Sequence, residues 1–219
     1  MLQENHKVAI YLEGHFSTDY GKMGIGVLRY LSNTIVAVID SKNNGKNTNE
    51  FDSIERSVPI VSNLDTAVLN GAEVLILGIA PSGGKIPEAW FKVIESAISK
   101  NLSIINGLHD TLLLKYKNLL KSNQWIWDVR VPQFIPEIAS GKAAKLSNKR
   151  ILCVGTDMAV GKMTTSLEMY KWAIEKKINS SFIATGQIGI TITGDGIPLD
   201  AYKVDHACGA VEQMVLKNK

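Results

Sequence analysis

The sequence predicts an α/β protein: a Rossmann-like N-terminal domain on a parallel sheet, followed by part of a P-loop α/β domain. Three observations predict it. Short β-rich apolar runs alternate with helical patterns from the N-terminus onward. The runs are nearly continuous in apolar residues, as strands covered on both faces require. The alternation then restarts after the polar, basic stretch GKAAKLSNKR at 141–150. The expected domains are 1–146 and 147–219.

In order, VAIYLE (8–13), TIVAVID (34–40), EVLILGIA (73–80), LSIING (102–107) and WIWDVRV (125–131) read as strands. MGIGVLRYL (23–31), NLDTAVLNG (63–71), IPEAWFKVIESAISKN (86–101) and TLLLKYKNLLK (111–121) read as helices. The third helix has Pro87 near its start, where a missing N–H costs little, and apolar residues at 90, 91, 94, 97 and 98. Asp110 is positioned to cap the fourth. Past the basic stretch, RILCVG (150–155) and SSFIATG (180–186) read as strands flanking a helix, TTSLEMYKWAIEKK (164–177), with Leu167, Tyr170 and Ile174 on one face. Two βα units bury little surface by themselves, so this portion is expected either to pack on the first domain or to belong to something longer.

Composition narrows the function classes. The 219 residues are 45% hydrophobic and 21% charged, as in a globular chain. No apolar run reaches the roughly 18 residues a membrane span needs, and MLQENHK lacks a signal-peptide core, so no membrane partner and a cytoplasmic address are expected. The net charge of +3 comes from the four cations of 141–150, a short connector without interleaved aromatics. Nucleic-acid binding is therefore not expected, since it needs cations spread along a groove. Cys153 and Cys208 have no ligand spacing and are expected to be buried thiols, with no metal site.

The segment with chemistry is ILCVGTDMAVGKMTTSLEM (151–169). An apolar run enters a loop containing Gly155 and Gly161, then Lys162, the hydroxyls of Thr164 and Thr165, and an amphipathic helix. Glycines let backbone N–H groups turn toward phosphate, the helix N-terminus adds its dipole, and lysine supplies a point charge. The spacing Gly155-x5-Gly161-Lys162 departs from the usual P-loop and resembles the GTDxxVGK loop of dethiobiotin synthetase. Met163 stands where the usual loop has the Ser or Thr that ligates magnesium, and a thioether cannot replace that hard oxygen ligand. The loop therefore suits holding phosphate better than positioning Mg²⁺ for γ-phosphoryl transfer.

Downstream, Thr185-Gly186-Gln187 ends an expected strand, and Gly194-Asp195-Gly196 followed by Pro198 is turn chemistry. Asp195, Asp200, Asp205 and His206 place ionisable groups behind the loop as candidate general bases or metal ligands, or as turn and cap residues. In the first domain, Gly21-Lys-Met-Gly24-Ile-Gly26 is glycine-rich without the dinucleotide spacing. Asp40 ends a strand where a ribose contact or a turn is expected. APSGGK (80–85) and Glu13-Gly14-His15 lie at carboxyl ends of strands, where clefts form, and Trp125 and Trp127 are expected in the core.

Six ordered blocks resemble the D-glutamate N-acetyltransferase family. They are VLRY with VAVID and a following glycine (27–45), LGIAPSGG (77–84), GLHD (107–110), WDVRVP (127–132), GTDMAVGKMTTSLEM (155–169) and ATGQIGITITGDGIPLDA (184–201). The resemblance implies a Rossmann-like domain joined to a P-loop domain. It also implies acetyl transfer from acetyl-CoA to the amino group of D-glutamate, alongside a partner racemase. Gly155, Thr156, Asp157, Gly161, Lys162, Thr164, Thr165 and Gln187 would hold the cofactor. An acid among Asp195, Asp200 and Asp205 would take the proton of the substrate ammonium. Family members continue with more strands after the segment matching GAVEQMV (209–215), so a C-terminally shortened P-loop portion and self-association to cover its apolar face are expected. Two alternatives are an ATP- and Mg²⁺-dependent ligase or kinase like dethiobiotin synthetase, and a non-catalytic nucleotide-binding protein.

Overall fold

A computed structural model describes residues 1–157 and 160–218. Its residues group into two units, Met1–Val131 and Pro132–Lys219.

The first unit is a six-stranded sheet in the order β3-β2-β1-β4-β5-β6, every pairing parallel. The strands are β1 (Val8–Tyr11), β2 (Ile35–Ile39), β3 (Ile60–Val61), β4 (Val74–Leu77), β5 (Ser103–Asn106) and β6 (Ile126–Asp128). The helices are α1 (Lys22–Tyr30), α2 (Leu64–Leu69), α3 (Phe91–Ser99) and α4 (Leu112–Tyr116). β1 and β4 are buried along their whole length, as their continuous apolar runs require. β3 has no counterpart in the sequence reading, because two residues after Pro59 carry no period. Trp127 is buried, as expected, and Trp125 is half-buried.

The direction of chain progression reverses between β1 and β4, so their carboxyl ends form the crevice where open α/β sheets take ligands. Glycines close it. The amide of Gly24 donates to the Gly78 carbonyl at 2.7 Å, and a Cβ on Gly78 would sit 2.9 Å from the Gly24 Cα. Gly24 thus serves the close packing of α1 on the residue that follows β4. Asp40 is buried, with Oδ1 accepting from the Gly14 amide at 2.9 Å and Oδ2 from Asn43 Nδ2 at 2.7 Å. Its carboxylate braces the loop after β1.

Asp110 does not cap α4. Its Oδ2 accepts from the Ile86 amide at 2.7 Å, while the first-turn amides of Leu112 and Leu113 donate to the Asp128 carboxylate at 3.0 and 2.9 Å. A carboxylate at the end of β6 supplies the cap that local sequence assigned to the preceding residue.

The second unit contains α5 (Lys162–Glu175), α6 (Gln187–Thr193) and α7 (Val204–Lys217), with no strand among the described residues. This corrects the two strands expected at 150–155 and 180–186. Ile151, Leu152 and Val154 are 75%, 83% and 78% exposed, and neither run has a ladder neighbour among the described residues. On α5, Leu167 is buried but Ile174 is exposed. Cys208 is also exposed and Cys153 half-buried, against the expectation of buried thiols.

Ile197, Ala210 and Met214 form the unit's small core, covered by Phe134, Ile183, Leu199, Tyr202 and Val211. The division between units falls at Val131/Pro132 instead of 146/147 because 133–145 packs on this core. The Tyr202 hydroxyl donates to the Phe134 carbonyl at 3.2 Å, and His206 Nδ1 lies 2.9 Å from the Pro136 carbonyl. A Cβ on Gly209 would collide with the Glu137 carbonyl, so α7 approaches this segment only through glycine. Among the described residues no helix is long and apolar enough to cross a membrane.

Candidate phosphate-binding site

The P-loop occupies 155–165 of the second unit. Met158 and Ala159 lie outside the described residues; the rest show why the sequence takes this form. Gly161 is the N-cap of α5 at φ +91°, a left-handed conformation that favours glycine. A Cβ on Gly155 would sit 2.8 Å from Val160 Cγ2 and 3.2 Å from Lys162 Cγ, so only glycine lets the loop close over its lysine. The helical ladder of α5 opens with the Thr165 amide donating to the Gly161 carbonyl at 2.9 Å. The amides of residues 162–164 precede it, and such first-turn groups are the ones a helix offers to an anion.

Lys162 folds its ammonium back onto the Asp157 carbonyl. That contact ties the residue that opens α5 back to position 157 across the loop. Gly155, Thr156, Asp157 and Thr165 are exposed, and Lys162, Met163 and Thr164 are half-buried. Ser166 turns inward, its hydroxyl donating to the Lys162 carbonyl at 2.8 Å. Gln187 begins α6, next to the extended Gly186.

The three candidate acids occupy different settings. Asp195 sits in the turn after α6, between Gly194 at φ +74° and Gly196 at φ +150°. Its Oδ1 accepts from the Gly196 amide at 2.8 Å and its Oδ2 pairs with Lys217 at 2.5 Å. It also lines a cavity of about 330 Å³ with Gln133, Phe134, Gln213, Met214 and Lys217. Asp200 lies in a short 3₁₀ turn at Leu199–Ala201. Asp205 is in the first turn of α7, where the helix dipole favours a carboxylate. Among the described residues no three metal-ligating side chains gather.

Glu212 went unnoticed in the sequence. From the middle of α7 it accepts from the Ser140 amide at 2.5 Å, the Ser140 hydroxyl at 3.0 Å and the Ala143 amide at 3.0 Å. The backbone amides of Ala143 and Ser140 hold its carboxyl below the usual glutamate value. The link spans about 70 residues of chain, so no local pattern announces it.

The comparisons agree with this two-part reading. The profile of a P-loop domain of unknown function, the C-terminal domain of the DUF1611 family, matches residues 137–219, and that family's Rossmann-like N-terminal domain matches 41–132. A D-glutamate N-acetyltransferase from Tritonibacter scottomollicae is 42% identical over 159 residues, covering 71% of this chain and 47% of that protein. One from a Pseudoalteromonas species is 40% identical over 148 residues, covering 66% and 44%. A crystal structure of a DUF1611 family protein from Anabaena variabilis superposes with a TM-score of 0.92 at 44% identity, over 97% of this chain and 63% of that one. This chain spans about half the length of the curated relatives it matches. The resemblance drawn from the six sequence blocks is borne out by relatives bearing that name. The chain belongs to the DUF1611 family and carries both its Rossmann-like and its P-loop domain.

Proposed function

We propose that the protein is an N-acetyltransferase that moves acetyl from acetyl-CoA to the amino group of D-glutamate or a similar amino acid. The observation that carries this reading is the name shared by the two relatives at 42% and 40% identity. The loop chemistry supports it. A phosphate cradle with Met163 at the magnesium position suits the diphosphate and ribose phosphate of a CoA ester, which need no catalytic metal.

Gly155, Thr156, Gly161, Lys162, Thr164 and Thr165 would hold those phosphates, with Asp157 and Gln187 at the edge of the site. When bound, acetyl-CoA supplies an activated thioester. The residues of this chain bind and orient it, and one of Asp195, Asp200 and Asp205 accepts the proton that the acceptor ammonium must lose before its nitrogen can attack.

Thiol release from acetyl-CoA, followed with and without D-glutamate, tests the reading. Release that requires both compounds and raises N-acetylglutamate by mass spectrometry is the expected result. No release, together with binding of ATP only when Mg²⁺ is present, would overturn it in favour of a ligase or kinase.

A further inference from the structure

The cavity of about 330 Å³ in the second unit is of a size that small ligands fill, and no residue of the phosphate loop lines it. Three elements of that unit meet around it. Gln133 and Phe134 come from the segment that opens the unit, Asp195 and Gly196 from the turn after α6, and the rest of the lining from the last turns of α7.

Backbone conformation fixes its charged edge. Gly194 and Gly196, at φ +74° and +150°, turn the chain on either side of Asp195, and a Cβ on Gly196 would sit 2.6 Å from the Ala184 carbonyl oxygen. Asp195 Oδ1 accepts from the Gly196 amide at 2.8 Å, and Oδ2 accepts from Lys217 Nζ at 2.5 Å. An ionised carboxylate only accepts hydrogen bonds and an ammonium only donates them. The lining therefore presents a charged acceptor directly beside a charged donor. Its apolar part is a ring and a thioether. Met214 is buried, and the Phe134 ring lies against Tyr202 at 6.1 Å between centroids, with the Tyr202 hydroxyl donating to the Phe134 carbonyl. Such a pair suits a flat, polarisable ring. Gln133 and Gln213 add carboxamides, each carrying both donors and an acceptor.

We infer that this cavity binds a purine base with a keto edge, guanine or hypoxanthine, as its nucleoside or nucleotide. Such a base presents the O6 acceptor beside the N1–H donor, and guanine adds its N2 amino group. Lys217 donates to O6 while the Asp195 carboxylate accepts from N1–H and N2–H, all charge-assisted bonds. Adenine has an amino donor in place of O6 and an acceptor nitrogen in place of N1–H. In the same pose it sets donor against ammonium and acceptor against carboxylate, so the pair rejects it. The base packs on Phe134 and Met214, and the two carboxamides serve its remaining ring nitrogens and the sugar hydroxyls. Asp195 is then a ligand-binding group, which leaves Asp200 and Asp205 as candidate proton acceptors. The inference does not depend on the acetyl-transfer reading.

The test uses the full chain with methyl-labelled methionine, titrated with guanosine and, separately, with adenosine. Nucleosides carry no phosphate, so the loop at 155–165 has nothing to hold. Guanosine is expected to move the Met214 methyl signal and to leave that of Met163 in place. Adenosine should bind at least about tenfold more weakly, the loss of one charge-assisted hydrogen bond. Lys217→Gln lies at an exposed position, and Asp195→Asn keeps an acceptor for the Gly196 amide, so both should fold. Each should weaken guanosine by about tenfold or more and narrow its advantage over adenosine. No guanosine shift at Met214, adenosine binding as tightly as guanosine, or unchanged guanosine affinity in either variant would overturn the inference.

Discussion

VAIYLE at 8–13 and RILCVG at 150–155 are matched in apolar character and opposite in fate. Val8, Ala9 and Ile10 are fully buried in a strand paired on both edges, by β2 and by β4. Ile151, Leu152 and Val154 are 75–83% exposed in a segment outside any sheet. An apolar run states that its side chains favour burial. It does not state whether a neighbouring backbone is there to complete the ladder, and a strand exists only through that ladder. In the first unit the six strands supply such neighbours to one another through five parallel pairings. In the second, order comes from helix packing, glycine contacts and side-chain clasps.

The sharpest way to break this contrast is a matched pair of truncations. Ile10→Ala should cost about 2–5 kcal/mol, because it removes packed atoms and leaves a cavity in a closed core. Leu152→Ala should fall within about 0.5 kcal/mol of the parent, as exposed positions do. Urea unfolding of both variants measures the difference. Equal costs would show that 150–155 is packed in solution and that the two runs do not differ.

A functional division should follow the structural one. Lys162→Ala is expected to weaken acetyl-CoA by about 1.5–3 kcal/mol, the range for a hydrogen bond to a charged group. The same variant should leave the amide signals of the first unit's β1 ladder unmoved. Calorimetric titration gives the first quantity; unchanged affinity in a folded variant would place the phosphates elsewhere.

The sequence made the parallel sheet legible because burial on both faces leaves an unbroken apolar signature, as in β1 and β4. It hid β3, whose two residues are too few for any period. It misassigned the α4 cap, since Asp110 and Asp128 carry the same carboxylate and only the tertiary fold chooses between them. Within the P-loop, order alone exposed Gly155, Gly161 and Lys162, because the left-handed Gly161 and the tight approach at Gly155 are local backbone demands. The candidate acids were less legible. Asp195 is both a turn former and a cavity-lining group, and local sequence cannot weigh one role against the other.

Gly209→Ala probes what holds the second unit in place of a sheet. Its new methyl would press on the Glu137 carbonyl, so either α7 or the 133–145 segment must shift. The expected cost is about 1–3 kcal/mol, typical of overpacking, seen as a lower midpoint for the second unit with the first unit's transition unchanged. A single shared transition that does not move would mean that this contact carries no weight.

The smallest effect sharpens the comparison by pH. Glu212 is bound by the amides of Ser140 and Ala143 and has a carboxyl held below the ordinary glutamate value of 4.5. A depressed folded-state value means that the unfolded chain binds the proton first. The clasp's contribution is therefore complete above 4.5 and is lost as pH falls below it, through the lower folded-state value. Amide signals of Ser140 and Ala143 should move together in that acid range, while those of the β1 ladder, whose partners are backbone carbonyls, should not follow them. Glu212→Gln keeps an acceptor but removes the titrating group, and should flatten the acid response of both amides. An unchanged titration at Ser140 and Ala143 in Glu212→Gln would assign the response to another group and remove Glu212 as the fastening between α7 and the segment that opens the second unit.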